Sequence, residues 1–381
     1  MAGNVVGLDI GGSGVRAAEL SGGRTPALVN AGVVPLAPGA VESGAVRNPV
    51  VVSDAIRKLW HDQRIKTRDV RLGVGSGSLL VRQLELDWMP QGDLKKALRY
   101  QVADLLPVSV DDANLDHILL DEYERHDPEL GQSRRLMRIL LVATARGAVD
   151  EMVRCVQAAG LRPRVADLSA FGLVRAASRA GSLTGDGAQG TEAVIDIGAD
   201  TVAVAVHTNG QPHFVRVIGG VGGAMLTRLL VDRTGRSWEE AEATKRACAL
   251  PLLTHAVPAM GQQSAGPSDA LAVSRGPAQD EVSAHVLLDG ARMLVREFKA
   301  TLDFHTSADP EHPPQRILLT GGGAALQGLT ELTRLTLELP TRRFEPADLL
   351  PKLVPRRGER HPIADDPAMV VPIGLALGAS A

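Results

Sequence analysis

Two stretches set an Asp-Ile-Gly and a run of small residues between β-branched or apolar side chains: Gly7 to Leu20, GLDIGGSGVRAAEL, and Val194 to Val206, VIDIGADTVAVAV. Between Asp9–Ala18 and Asp196–Ala205 five of ten positions are identical, so the two are copies of one device and imply one shared ligand. Turns made of Gly11, Gly12, Ser13 and Gly14, or of Gly198, Ala199, Asp200 and Thr201, carry little bulk, and their backbone N–H groups can approach an anion closely. A carboxylate beside a phosphate is repelled unless a cation lies between them. Asp9 and Asp196 are therefore the candidates to hold Mg²⁺ through its waters. A third stretch, Arg316 to Leu329, RILLTGGGAALQGL, reads as a strand, the run Gly321, Gly322 and Gly323, and a helix start, which brings free N–H groups beside a phosphate. Either hairpin alone could be an ordinary Asp-Gly turn. The repeat and the third stretch together point to two hairpins clamping a polyphosphate.

Other positions carry weaker chemistry. Ser237 and Glu240 make a capping box, and on the helix it opens Glu242 and Lys245 share a face, a spacing that also describes a solvated ion pair. Asp167 ends a strand just before Ser169, and either touches the hydration shell of a cation or caps the following helix. Phe214 to Ile218 leads through Gly219, Gly220, Gly222 and Gly223 into an apolar helix, with Gly219 and Gly220 equally suited to plain backbone packing. Asp116, His117, Asp121, Glu122, Glu124, His126, Asp127 and Glu129 alternate along a hairpin without metal-ligand spacing. No Gly-Lys-Ser/Thr, His-Glu-x-x-His or Gly-x-Ser-x-Gly occurs, and Leu326 stands where a dinucleotide fingerprint requires Gly or Ala.

The elements needed to hold these residues follow in order. Ala27–Pro38 continues the first sheet, a helix over Val52–Gln63 buries Ala55, Ile56, Leu59 and Trp60, and Val70–Val74 is a strand. From Leu79 to Arg162 the pattern changes to strand (Leu79–Leu86), helix (Asp93–Leu106), strands (Asn114–Tyr123, Leu136–Ala143) and helix (Ala148–Ala159), whose apolar stripes need a sheet to cover. Pro163–Ala177 is a strand running into a helix, Ser178–Thr191 a linker, and Thr254–Gln279, poor in large apolar residues, a mobile loop. A long buried helix carrying Leu287, Leu294 and Phe298 precedes the third glycine stretch, and Arg356–His361 is a solvated basic turn. In the closing helix, Met369–Gly378, Gly374 and Gly378 permit close packing. At 381 residues and 44% hydrophobic the chain exceeds one core, and a net charge of −3 offers no basic surface for nucleic acid or an anionic membrane. Cys155 and Cys248 suit a reducing compartment, and with neither a signal segment nor an 18-residue apolar run the chain is expected to be cytoplasmic and soluble.

The three glycine stretches, in this order, resemble the actin/Hsp70/sugar-kinase superfamily. That resemblance implies an α/β fold of two lobes built from duplicated RNase H-like domains, with ATP and Mg²⁺ in the cleft between them. It also implies that Thr320–Ala324 borders the α-phosphate and adenosine, and that Glu242 and Lys245 contact ribose and adenine. Trp88-Met89-Pro90, then Leu94–Tyr100 (LKKALRY), then Leu105-Leu106-Pro107-Val108 and Asp111 resemble the PilM family of type IV pilus assembly proteins, related to FtsA. The likeness implies a first lobe over 1–78 and 163–190, a small inserted α+β subdomain over 79–162, a second lobe over 191–365 with a mobile loop at 254–280, and a hinge helix over 366–381. It implies a scaffold of the pilus inner-membrane platform that holds the N-terminal tail of a PilN-type membrane protein, peripheral to the cytoplasmic membrane without inserting into it. Weak ATPase activity would draw on Asp9, Asp196 or Asp167, and the sequence leaves hydrolysis open. Two alternatives share the superfamily. Asp-Ile-Gly-Gly-Ser is close to the loop of glucokinase-like sugar kinases, which usually carry a zinc motif or a catalytic sugar-binding Asp not seen here, and an FtsA-like division protein would normally end in an amphipathic helix.

Overall fold

β-Branched and small residues along the two hairpins are what a sheet buried on both faces requires, and each hairpin lies at the heart of a five-stranded sheet. The computed structural model describes residues 3–23, 25–106, 108–127, 132–184, 190–251, 281–349 and 363–378. The expected loop at 254–280, the basic turn at 356–361 and Pro107 lie outside them.

The first lobe holds strands β1 (Val5–Gly11), β2 (Gly14–Leu20) and β3 (Leu28–Pro35), a short ribbon β4 (Val41–Glu42) and β5 (Ala45–Val46), helix α1 (Pro49–Asp62) and strand β6 (Asp69–Val74). The inserted unit follows: β7 (Leu80–Asp87), α2 (Gln91–Gln101), β8 (Ala113–Asp127) and β9 (Gln132–Ala145). Helix α3 (Arg146–Ala158), β10 (Arg162–Leu168) and α4 (Ser169–Thr184) return to the first lobe. The second lobe comprises β11 (Thr191–Ile197), β12 (Thr201–Thr208), β13 (Gln211–Gly219), α5 (Gly223–Thr234), α6 (Trp238–Ala247), α7 (Glu281–Ala308), β14 (Arg316–Thr320), α8 (Leu329–Leu337), β15 (Thr341–Arg343) and α9 (Pro346–Leu349). Helix α10 (Val370–Leu377) closes the described chain.

The sheets run β10-β6-β1-β2-β3 and β13-β12-β11-β14-β15. Each is an antiparallel three-strand meander whose first strand pairs in parallel with one later strand, which in turn pairs in parallel with another. The duplication holds residue by residue: Asp9↔Arg16 and Ile10↔Val15 in the first hairpin correspond to Asp196↔Ala203 and Ile197↔Val202 in the second. Helices α4 and α10 lie between the sheets. Leu173 and Ala177 of α4 and Val370 and Ile373 of α10 share one buried cluster with Ala18 of the first sheet and Val194 and Leu318 of the second. Glycine is required at the helix crossing, because a methyl on Gly374 would lie 2.1 Å from the Gly172 carbonyl oxygen. Gly378 plays a different part, capping α10 at φ +68°.

Several boundaries differ from the sequence expectation for local reasons. Helix α1 begins at Pro49, ahead of Val52, because Asn48 caps it, its side chain accepting from the Val51 N–H at 3.2 Å. Strands β8 and β9 run beyond Tyr123 and Leu136 because cross-strand ion pairs carry the ladder outward: Arg135 to Glu122 at 2.7 Å, and Arg125 and Arg134 to Glu85 and Asp87 of β7 at 2.6 Å. The stripe of α3 meets the first-lobe core beside Ile56 and Leu59, whereas α2 covers the three-stranded sheet through Leu94 and Leu98. The expected linker from Ser178 is helical as far as Thr184, with Ala180 buried in the inter-lobe cluster. Cys155 and Cys248 are buried in separate cores.

Candidate functional site

The two hairpin turns meet across the inter-lobe cleft. A methyl on Gly12 would lie 3.4 Å from the Asp200 Cβ and 3.6 Å from the Ala199 Cβ, so the turns approach as closely as side chains allow. The Asp200 carboxylate accepts from the backbone N–H of Ser43 in the turn between β4 and β5, a direct tie between the lobes. Behind the turns is a cavity of about 540 Å³ lined by residues of both copies, among them Asp9, Gly11, Gly12, Ser13, Asp196, Gly198, Ala199, Asp200 and Thr201.

Asp9 and Asp196 enter this cavity from equivalent ladder positions. Burial raises the Asp9 carboxyl above its ordinary range, opposed by the charge of Arg16, whose guanidinium is 3.9 Å away. Burial also pushes Asp196 up to about 7, the neighbouring charge of Asp9 adding to the rise and Arg16 reducing it. Two buried carboxylates that disfavour each other's charge form a donor set that a hard divalent cation would relieve, so these residues fit Mg²⁺. Arg16 donates to Ser13 Oγ at 2.8 Å and to the Gly14 carbonyl at 3.2 Å, while its buried Nε has no partner among the described residues. It therefore holds the first turn and keeps a positive charge at the cavity wall.

The third stretch closes one side. Gly321 has φ +81°, and a methyl there would fall 2.3 Å from Asp196 Oδ1 and 2.6 Å from the Ile197 carbonyl oxygen. Gly323 backs onto Ile197, so it and Gly321 are glycine for steric reasons, whereas Gly322 has open space around it; all three line the cavity. Thr320 is buried and spends its hydroxyl on the Pro367 carbonyl at 2.9 Å. On α6, whose capping box forms as the spacing requires, Lys245 donates to Glu242 at 2.7 Å, to Thr227 Oγ1 at 2.7 Å and to the Gly223 carbonyl at 2.9 Å. Both residues line the cavity, and with Lys245 only 14% exposed the pair is no solvated surface bridge. Burial lowers the Lys245 ammonium below its usual range against the pull of Glu242.

Three sequence candidates stand elsewhere. Gly222 lies behind the second turn, where a methyl would meet the Gly198 carbonyl oxygen at 2.6 Å, and the Gly223 and Ala224 N–H groups donate to the Gly198 and Ala199 carbonyls at 2.9 and 2.7 Å. The start of α5 thus supports the turn instead of offering free N–H groups. Gly14 packs on β3, with a methyl 2.8 Å from the Val34 carbonyl oxygen. Asp167 is ion-paired to Arg175 and lines a different cavity, so the structure does not bring it together with Asp9 and Asp196. The cavity adds Arg16, Gly73, Gly75, Ser169 and Asp366, which sequence reading passed over. Gly73 near the end of β6 and Gly75 just beyond it correspond to Thr320 at the end of β14 and Gly322 just beyond it, a correspondence visible only once the ladders are aligned.

The cavity holding Asp167, about 1310 Å³, is a groove between the first lobe and the inserted unit that Asn209, Gly210, Gln211 and Pro212 of the second lobe also line. Two sheet edges face it: β8 pairs only with β9 and β10 only with β6. Thr144 on its wall has a buried hydroxyl without a partner among the described residues.

The family model of the type IV pilus assembly protein PilM matches residues 7–255, and that of the cell division protein FtsA matches residues 193–374. A chain of the PilM–PilN type IV pilus biogenesis complex is 22% identical with a TM-score of 0.76, over 98% of this chain and 97% of that one. The ethanolamine utilization protein EutJ from Carboxydothermus hydrogenoformans is 14% identical with a TM-score of 0.55, over 99% and 90%. MreB5 of Spiroplasma citri bound to ADP is 13% identical with a TM-score of 0.53, over 99% and 96%. At these identities the structural likeness establishes the two-lobe actin-like fold. No helix among the described residues is long and apolar enough to cross a membrane.

Proposed function

The chain belongs to the PilM family of type IV pilus assembly proteins, and from that premise we propose that it is an ATP- and Mg²⁺-binding scaffold of the pilus inner-membrane platform that holds the cytoplasmic tail of a PilN-type membrane protein. The observation that carries this reading is the convergence of Asp9 and Asp196, from equivalent strands of opposite lobes, on one cavity walled by Gly321, Gly322 and Gly323. Similarity to a nucleotide-bound MreB supports the choice of ligand.

In this reading the turns Gly11–Ser13 and Gly198–Thr201 offer backbone N–H groups to the phosphates, Arg16 adds charge, and Glu242 and Lys245 border the nucleoside end. Asp9 and Asp196 would hold Mg²⁺ through its waters, and the cation would neutralise the charge between carboxylates and phosphates. Contacts donated by both lobes favour the closed cleft, so ATP shifts the lobe equilibrium by its differential affinity for that state. Turnover is slow and uses one of these two carboxylates to position water.

The tail is assigned to the groove between β8 and β10. Two unpaired strand edges can take an extended segment by backbone hydrogen bonding, with side chains settling on Val165 and Phe171 and beside Thr144. Through that tail the protein reaches the membrane. Titration of the purified chain with a labelled peptide of a PilN-type cytoplasmic N-terminus, with and without Mg·ATP, tests the assignment. Saturable binding whose affinity changes with ATP is expected, and absence of binding in both conditions would overturn it.

A further inference from the structure

Away from the cleft, two imidazoles and a carboxylate meet where the inserted unit touches the second lobe. His213 on β13, and Asp309 and His312 in the turn after α7, each present a donor atom within 4.8 Å of the other two. His213 and Asp309 are buried, and His312 is about 29% exposed. His312 Nδ1 is already 3.0 Å from Asp309 Oδ1, near the roughly 3.3 Å that separates two ligands of a tetrahedral zinc ion. The His213 ring stacks on that of His312 with centroids 3.8 Å apart, so the two imidazoles already lie side by side.

Outer contacts hold two of the donor groups and the backbone that carries the third. His213 Nε2 is 3.0 Å from Thr208 Oγ1, itself 2.9 Å from Thr191 Oγ1, which leaves the other ring nitrogen for a ligand. Asp309 accepts from the Gln83 amide at 3.2 Å, and the backbone of His312 is held by His305 Nε2 at 2.9 Å. Such orienting contacts are the usual support of metal-bound imidazole and carboxylate. Gln83 belongs to β7, and the same amide donates to the His213 carbonyl at 2.8 Å.

We propose that His213, Asp309 and His312 form a Zn²⁺ site, open at its fourth position, that braces the inserted unit against the second lobe through Gln83. Two neutral nitrogens and one carboxylate suit a borderline cation, and three protein ligands leave room for water. The site is separate from the Mg²⁺ position in the cleft, where oxygen donors alone are offered.

The test uses the full chain, stripped with chelator and dialysed. Zn²⁺ titration against a chromophoric competitor is expected to give one ion per chain, and His213→Gln, Asp309→Asn or His312→Gln to weaken it at least about tenfold. Asp196→Asn should leave Zn²⁺ binding unchanged. Should a variant fail to fold, His312→Cys keeps a ligand at that position, and with Co²⁺ it is expected to show a thiolate charge-transfer band. Binding equal in wild type and all three variants, or a cysteine variant without that band, would overturn the site. Zn²⁺ should also slow amide exchange along β7, and unchanged exchange in the loaded protein would overturn the brace.

Discussion

Asp196 carries opposite costs in the ligand-free and loaded protein. Its folded value of about 7 stands above the ordinary 3.8, so the native state binds an extra proton between those values. Its share of stability is full below about pH 3.8 and is lost as pH rises through about 7. In chelator-treated protein the melting temperature is expected to fall between pH 5.5 and 8 more steeply in wild type than in Asp196→Asn. Cation binding must expel that proton, so Mg·ATP affinity should weaken as pH drops below about 7, and isothermal titration at several pH values reads this directly. At Gly321 the demand is steric. Gly321→Ala combines a φ of +81° with a methyl 2.3 Å from Asp196 Oδ1, and is expected to cost about 1–3 kcal/mol by denaturant titration and to abolish Mg·ATP binding. Asp9, Asp196 and the run Gly321 to Gly323 could be singled out by residue type alone, and the fold brings them to one cavity. Arg16 escaped because its role comes from lying opposite Asp9 in the ladder, where the second copy has Ala203.

Elements succeed or fail by what they pack against. Helix α6 was legible from its capping box, but only the fold shows that Lys245 reaches back to the Gly223 carbonyl and so ties α6 to the first turn of α5. Lys245→Met should destabilise the second lobe by about 1–3 kcal/mol in thermal or denaturant melts, because it leaves the Glu242 carboxylate and the Gly223 carbonyl short of a donor. The crossing of α4 and α10 makes a sharper contrast between two glycines. Gly374→Ala drives a methyl to 2.1 Å from the Gly172 carbonyl oxygen and should cost about 1–3 kcal/mol, whereas Gly181→Ala on α4 meets nothing within 4 Å and should be neutral or mildly stabilising. Matched melts of the two variants check this. The extra length of β8 and β9 was hidden because their outer halves are polar. An alternation of charges suits a hairpin, but where its strands end is not legible until the opposing arginines are known. The destination of α3 was hidden for a similar reason, since an apolar stripe states that it is covered and not by which sheet.

At the scale of the whole molecule, duplication is the organising fact, and the sequence displayed it because both copies keep Asp-Ile-Gly at the end of a buried strand. What repetition of residues could not convey was the distance between the copies. That depends on α4 and α10, whose small residues let both sheets settle on one shared core and bring Gly12 against Asp200. A groove between the first lobe and the inserted subdomain was expected from the family resemblance, but the residues that line it were invisible, since the edges of β8 and β10 belong to separate sheets. The central claim is that the two hairpins grip one triphosphate through one shared cation. Equilibrium titration of ATP into wild type, Asp9→Asn and Asp196→Asn, each with Mg²⁺ and with chelator, tests it most directly. The account predicts a single site that needs Mg²⁺ in wild type and is weakened by about tenfold or more in either variant, a loss of about 1.4 kcal/mol or greater. Affinity indifferent to chelator and to both substitutions would contradict it.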